Sequence, residues 1–136
     1  MDFSLSEDQL AFLDVAREFA QKQLAPHAAE WDEQKIFPVE TLRAAGALGF
    51  CGMYCPEQLG GTGLSRMDAA LLLEELAQGC TSTAAYISIH NMAAWMVAIW
   101  GSADVQAQWL GDLAAGRKFA SYCLTEANAG SDAASI

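Results

Sequence analysis

Basic side chains are scarce in this sequence. Seven Lys and Arg stand against seventeen Asp and Glu in 136 residues, which gives a net charge of −10 at pH 7. A chain with this charge repels nucleic-acid phosphates and anionic lipid surfaces, because it cannot replace their counterions. We therefore expect no nucleic-acid partner and no binding to a membrane surface.

The sequence also lacks the spacing patterns of metal sites and disulfide frameworks. Its four cysteines form no CxxC pair and have no histidine close by in sequence, and the two histidines lie far apart. The residues are Cys51, Cys55, Cys80, Cys123, His27 and His90. Free, mostly buried thiols and no metal are the favoured interpretation, with a metal or disulfide role as the minor alternative.

No targeting signal is recognisable at the start. Residues 1–8 are polar and acidic, without the basic and apolar regions of a secretory signal and without the arginines of a transit peptide. A cytoplasmic location is the simplest expectation, and a processed precursor is the alternative.

Apolar side chains, in contrast, are abundant. They make up 53% of the residues, and aromatic residues make up 10%. This composition is typical of a chain that folds, or that folds by docking onto a partner, and the length is that of one domain.

Helix-start signals occur in series. Ser6 and Gln9 can form a capping box, with Leu5 against Leu10 as a hydrophobic staple, and a broad apolar stripe then predicts a helix to about Leu24. Two prolines predict the first turns of the next two helices, one carrying Trp31 and one covering residues 39–47. The glycine-rich stretch 50–64 is typical of an irregular loop, and Ser65 with Asp68 predicts a helix to Gly79.

The segment 84–100 is apolar nearly all round and could be a central bundle helix or a membrane span. Ser88, His90 and Asn91 interrupt it at mid-length, where polar groups are unfavourable in lipid, so we expect a bundle helix. Buried polar groups need hydrogen-bond partners, and His90 could find them in the core or in a substrate. Gly101 ends this helix, and Ser102 starts another that runs to Leu113.

Residues 119–125 carry the one strand pattern that we identify. A single strand cannot satisfy its own backbone groups, so we expect the chain to be part of a longer protein. The predicted fold class is all-α: a helical bundle followed by the first strand of a β domain.

The end of this strand and the turn after it carry small residues and two hydroxyls, Thr125 and Ser131. Such a turn offers free backbone N–H groups to a ligand, although such turns are more often purely structural, here a hairpin with a solvated acidic rim.

Residues 122–126, Tyr-Cys-Leu-Thr-Glu, followed by residues 129–132, Ala-Gly-Ser-Asp, are similar to the flavin-binding signature of the acyl-CoA dehydrogenase family. The similarity extends upstream in order and spacing, through residues 5–9, Phe37-Pro38 and residues 56–63, and it covers essentially the whole chain. Residues 80–92 look most like the branch of this family that acts on isobutyryl-CoA in valine breakdown.

The resemblance implies that residues 1–117 form a helical N-terminal domain and that residues 118–136 begin a middle β domain that binds FAD. It implies α,β-dehydrogenation of a short, branched acyl-CoA, reoxidation by an electron-transfer flavoprotein, and a homotetramer. The cofactor-binding residues would be Tyr122, Leu124, Thr125, Gly130 and Ser131. The substrate-binding residues would be Ser131, His90 and Trp95.

The resemblance places the catalytic base in a later domain, so it implies no catalytic residue here and no activity for these 136 residues alone. Glu74 and Glu75 are expected to be helix-surface charges, and Glu126 a turn residue. Ala127-Asn128 departs from the Pro-Gly common in the family, although Asn tolerates the left-handed conformation that Gly supplies. Two alternatives remain: a family member without catalysis, and a free-standing helical interaction domain.

Overall fold

The computed structural model describes residues 4–136, so the first three residues of the polar start lie outside it. Six α-helices, and no strand, occur in this part of the chain. The helices are α1 (Glu7–Phe19), α2 (Ala28–Gln34), α3 (Val39–Ala47), α4 (Arg66–Gly79), α5 (Thr81–Trp100) and α6 (Ala103–Ala114). Short 3₁₀ turns occur at Glu57–Leu59 and Ala133–Ser135.

The predicted helix starts at Ser6, Ser65 and Ser102 are confirmed. Ser6 Oγ accepts a hydrogen bond from the Gln9 backbone N–H at 3.2 Å, and Gln9 Oε1 accepts one from the Ser6 N–H at 2.9 Å, which completes the capping box. Ser65 and Ser102 cap α4 and α6 by accepting from the third backbone N–H of each helix. Hydroxyl side chains at these positions satisfy amides that have no partner within the helix.

The first helix runs to Leu24, as predicted, although its last five residues, Ala20–Leu24, form a π-helical turn. Two details of the helix predictions are wrong. The predicted apolar stripe is too broad, because Leu10, Phe12 and Val15 are 50%, 44% and 44% exposed. Pro26 precedes α2 instead of lying in its first turn.

The core lies between α1, α4, α5 and α6. Helix α4 packs against both α1 and α5, and α5 packs against α6. The prediction of a central bundle helix for residues 84–100 is therefore confirmed, with the observed helix starting earlier, at Thr81. Over residues 4–136, no helix combines the length and apolar character needed to cross a membrane.

The loop between α3 and α4 is irregular, as predicted, and Asn91 of α5 holds it in place. Asn91 Oδ1 accepts from the Met53 N–H at 2.7 Å, and Asn91 Nδ2 donates to the carbonyls of Phe50 at 2.7 Å and Ile87 at 2.9 Å. The side chain is 1% exposed, so these bonds satisfy all of its buried polar atoms.

The strand predicted at residues 119–125 does not form. The backbone of residues 121–125 makes no hydrogen bond to any described residue, and the single β-type pairing joins Glu126 to Ala129 within one turn. A strand exists only where a second backbone lies alongside it, and the described residues provide none.

Candidate functional site

The region with the predicted cofactor-binding residues is the exit segment, which we define as residues 116–131, between α6 and the last 3₁₀ turn. It begins at Gly116, whose backbone is left-handed (φ 66°) and tightly enclosed. A Cβ at this position would lie 3.0 Å from Gly46 Cα and 3.3 Å from both Cys51 Sγ and the Leu42 carbonyl oxygen. Both the positive φ and the lack of space for a Cβ favour glycine at position 116. The tight contacts around Gly116 fix the direction in which the exit segment leaves the helices.

On the surface, Asp112 of α6 holds the next two residues. Its carboxylate accepts from Arg117 Nε at 2.8 Å and pairs with Lys118 Nζ at 2.9 Å. Its carbonyl accepts the backbone N–H groups of the same two residues. The hydrogen bonds from Lys118 and then Arg117 lower the pKa of Asp112, so the carboxylate stays charged at neutral pH.

In the interior, His90 of α5 contacts the segment directly. The Ala120 backbone N–H donates to His90 Nδ1 at 3.1 Å, and His90 Nε2 lies 3.0 Å from the Leu113 carbonyl oxygen. Because Nδ1 accepts, Nε2 must carry the proton and donate, which defines a neutral imidazole. The ring is fully buried, and this burial lowers the pKa of His90.

An aromatic cluster surrounds this contact. The Phe119 ring packs edge-to-face against Phe37, Tyr86 and His90, with centroids 6.1, 6.2 and 6.0 Å away. Phe37 also meets Tyr86 at 4.8 Å. The exit segment therefore begins against an aromatic wall contributed by α5 and by the residues before α3.

Further along, the predicted cofactor-binding residues are accessible. Leu124 is 47% exposed, Thr125 and Ser131 are exposed, and Tyr122 is half-buried. The Glu126–Ala129 turn brings Thr125 next to Gly130, where an added Cβ would lie 3.6 Å from Thr125 Cγ2.

The turn differs from the expectation for Asn128. Lys35 is the one non-glycine residue with positive φ among residues 4–136, and Gly130 is not left-handed either. The Ala127-Asn128 turn thus closes without the left-handed conformation that Asn could have supplied.

The predicted substrate-binding residues on α5 occupy different surroundings. His90 faces inward to Leu113 and Ala120, whereas the half-buried Trp95 ring packs edge-to-face on Trp100 at 5.0 Å. The Arg66 guanidinium lies over two aromatic rings. Its Cζ atom is 4.7 Å from the centroid of the Trp95 ring and 4.0 Å from that of the Tyr54 ring.

Sequence reasoning missed the Phe119 cluster and the Ala120 contact. A signal was available in the spacing of Tyr86 and His90, which are four residues apart and so share one face of a helix. Asp112 with Arg117-Lys118 was a second signal, an acidic residue followed by two basic residues across a helix end.

The remaining reactive groups have ordinary surroundings. Three of the four cysteines are buried, as predicted, and burial raises the pKa of Cys51 to about 12 and of Cys55 to about 11, so both stay protonated at neutral pH. Glu75 pairs with Arg17 at 2.8 Å, while Glu74 and Glu126 are exposed. Among residues 4–136, no cluster of three or more His, Cys, Asp and Glu side chains could hold a metal ion.

Comparison with known proteins identifies close relatives. The family profile described as acyl-CoA dehydrogenase, N-terminal domain, matches residues 6–117. The mitochondrial isobutyryl-CoA dehydrogenase of Bos taurus is 52% identical over 132 residues, which are 97% of this chain and 32% of that protein. The corresponding enzyme of Dictyostelium discoideum is 46% identical, with the same coverage. The chain therefore spans about a third of the length of these curated relatives.

Solved structures agree with the fold. Butyryl-CoA dehydrogenase from Megasphaera elsdenii is similar with a TM-score of 0.87 and 34% identity, over 98% of this chain and 36% of that one. An acyl-CoA dehydrogenase from Bacillus anthracis, solved in complex with FAD, gives a TM-score of 0.87 and 29% identity, over 98% of this chain and 23% of that one.

Proposed function

The chain belongs to the acyl-CoA dehydrogenase family, and we propose that it forms the N-terminal part of an FAD-dependent enzyme that dehydrogenates a short, branched acyl-CoA between its α and β carbons. Residues 1–117 are the helical domain, and residues 118–136 begin the flavin-binding domain. The observation that carries the proposal is the exit segment, in which the backbone of residues 121–125 makes no hydrogen bond to a described residue and Leu124, Thr125 and Ser131 are exposed beside a well-packed helical body.

The exit segment has the chemistry that a flavin requires. The backbone N–H groups of residues 121–125 have no partner among the described residues, and the Thr125 hydroxyl is exposed. Flavin ring nitrogens and carbonyl oxygens need such donors, and an apolar side chain such as Leu124 can cover a ring face. We therefore propose Tyr122, Leu124, Thr125, Gly130 and Ser131 as cofactor-binding residues.

When bound, FAD supplies the hydride acceptor of the reaction. The role proposed for Thr125 is to hold a hydroxyl donor where negative charge grows on reduction, and a fixed donor in such a position contributes a few kcal/mol. Ser131 would contribute a second hydroxyl near the thioester. Glu74, Glu75 and Glu126 are not proposed as the base, because Glu75 pairs with Arg17 and the other two are exposed surface charges.

The site assignment is tested by Thr125→Val in the full-length gene product. We expect an unchanged fold, with a shifted flavin reduction potential or a reduced affinity for FAD. Ser121→Ala is the matched control, since it removes an exposed hydroxyl from the same segment outside the proposed site. A Thr125→Val enzyme with the potential, FAD affinity and rate of the Ser121→Ala enzyme would exclude this role for Thr125.

The substrate proposal rests on the identity to the isobutyryl-CoA dehydrogenases and on α5. This helix carries Tyr86, Met92, Trp95 and Met96, and we propose that these bulky side chains shorten the cavity for the acyl chain. The proposed substrate-binding residues are His90, Trp95 and Ser131. Because His90 is fully buried, it would affect the substrate indirectly, through the residues that it contacts.

Steady-state kinetics test this proposal. We expect kcat/KM of the full-length gene product to be highest for isobutyryl-CoA and to fall through 2-methylbutyryl-CoA and butyryl-CoA to octanoyl-CoA. The fall should be gradual, because a hydrophobic pocket discriminates by about 1–3 kcal/mol per methylene. A maximum at octanoyl-CoA would contradict the branched-substrate proposal and leave the family assignment intact.

The proposed partners are the acyl-CoA substrate, an electron-transfer flavoprotein as electron acceptor, and three further copies in a homotetramer. The cytoplasmic location stays a prediction, and the cattle and Dictyostelium relatives are named as mitochondrial proteins.

A further inference from the structure

The exit segment is tied to the helices by a short series of hydrogen bonds that ends at Ala120. Asp112 holds residues 117 and 118 at the surface, and His90 holds Ala120 in the interior. Beyond Ala120, no hydrogen bond in the described part of the chain connects residues 121–136 to the helical body. The contact with His90 is therefore the last fixed point before the proposed cofactor-binding residues, which start two positions later at Tyr122.

We propose that His90 is a positioning residue, whose Nδ1 fixes the backbone of Ala120 and so sets the direction in which the flavin-binding segment leaves the helical domain. The inference rests on the proposed function for its consequence at the flavin. The contact itself is independent of that function, because it is a property of this chain.

The imidazole suits this role because it has two nitrogens on different sides of one rigid ring. Nε2 donates to the Leu113 carbonyl in the last turn of α6, and Nδ1 accepts from Ala120 seven residues later. One side chain on α5 thereby fixes both ends of the connection between α6 and the flavin-binding segment. The ring is 0% exposed and packs on Phe119 and Tyr86, so its two nitrogens are shielded from water and the ring cannot turn freely.

Two substitutions separate the two bonds. In His90→Asn, the side-chain oxygen can occupy the position of Nδ1, so it can still accept from Ala120 while the Leu113 bond is lost. In His90→Gln, the amide nitrogen can occupy the position of Nε2, so it can still donate to Leu113 while the Ala120 N–H loses its acceptor. Both variants remove the ring, so a general loss of packing affects them alike.

Amide hydrogen exchange in the 136-residue chain tests the contact. We expect exchange at the Ala120 N–H to accelerate about tenfold or more in His90→Gln and much less in His90→Asn, since this partly buried donor loses its acceptor only in His90→Gln. Amide resonances of residues 121–131 should shift more in His90→Gln for the same reason. Equal exchange at Ala120 in the two variants, or faster exchange in His90→Asn, would overturn the proposal.

The consequence at the flavin is measured in the full-length gene product. We expect FAD affinity to fall about tenfold in His90→Gln and to be largely retained in His90→Asn, at similar melting temperatures. Equal FAD affinity and flavin spectra in the two variants would overturn the positioning of the flavin, even where the exchange result stands. A wild-type full-length product that binds no FAD would instead contradict the proposed function, and the exchange experiment would still decide whether His90 fixes Ala120.

Discussion

His90 and Asn91, adjacent residues on α5, each hold a different irregular segment of the chain in place. Asn91 holds the loop after α3 through Met53 and Phe50, while His90 holds the end of α6 and the exit segment. Both side chains are fully buried and hydrogen-bonded. Their directional bonds fix where the partner backbone lies, which non-directional apolar packing alone would not do. Two consecutive polar residues in an apolar helix thus locate two irregular segments.

The buried state of His90 predicts a pH dependence of stability. Burial lowers the pKa of His90 below its ordinary value of 6.5, so below that pH the unfolded chain binds a proton that the folded chain does not. The contribution of His90 to the free energy of unfolding is therefore fully present above about pH 6.5. It decreases as the pH falls through that value towards the folded-state pKa. Urea unfolding of the 136-residue chain from about pH 7.5 to about pH 5.5 should show this decrease.

His90→Asn is the comparison for this prediction, because it removes the titrating ring and keeps the acceptor for Ala120. The variant should lose less unfolding free energy than the wild type over the same pH range. Parallel pH profiles for the two proteins would show that His90 is not the group responsible.

The sequence predicted these residues in part. A polar pair in the middle of an apolar helix requires hydrogen-bond partners, which made His90 and Asn91 stand out. Their partners could not be predicted, because the Met53, Phe50 and Ala120 groups are backbone atoms of irregular segments, and a backbone amide has no sequence signature. The exposure of Thr125 and Leu124 likewise depends on what packs around them.

At the level of the elements, the sequence predicted helix starts correctly where they depend on side chains within the same turn. Ser6, Ser65 and Ser102 cap the helices that they were expected to cap, and α3 begins directly after Pro38. The strand at 119–125 failed because strand formation depends on a neighbouring backbone. The change from α to π geometry after Phe19 occurs where Gly79 packs on Ala20, a contact between distant parts of the chain.

Gly46 and Gly111 illustrate this difference between local propensity and long-range contacts. Substitution by alanine is expected to have opposite effects on stability at the two positions. Both lie inside helices, so alanine should improve helix propensity by about 0.5–1 kcal/mol at either site. A Cβ at Gly46 would lie 2.5 Å from the Ala115 carbonyl oxygen and 2.7 Å from Gly116 Cα, whereas the nearest atom to one at Gly111 is Arg117 Nη2 at 4.0 Å.

We therefore expect Gly46→Ala to destabilise the chain by about 2 kcal/mol or more, because α3 must move away from the turn at Gly116. Gly111→Ala should be stabilising by about 0.5–1 kcal/mol. Denaturant unfolding of the two variants measures both effects, and a Gly46→Ala protein as stable as Gly111→Ala would show that α3 and the exit turn do not pack as described.

For the whole molecule, the helical body and the segment that follows it differ in how fully their polar groups are hydrogen-bonded. Within residues 4–136, every buried side-chain nitrogen and oxygen has a hydrogen-bond partner. The backbone of residues 121–125 has none, and Leu124 is exposed beside it. This contrast supports the proposal that the exit segment is completed by the rest of a longer enzyme, and the cattle and Dictyostelium relatives are about three times as long as this chain.

The most direct test of this account is the visible absorbance of the purified full-length gene product during anaerobic addition of isobutyryl-CoA. We predict a flavin absorbance band that is bleached by isobutyryl-CoA, and faster than by octanoyl-CoA, because under the proposed function the substrate would reduce the flavin. The 136-residue chain, purified alone as the control, should be colourless, since one segment cannot offset the loss of freedom on binding the cofactor. A full-length product without flavin, or with a flavin band that no acyl-CoA bleaches, would contradict the proposed function.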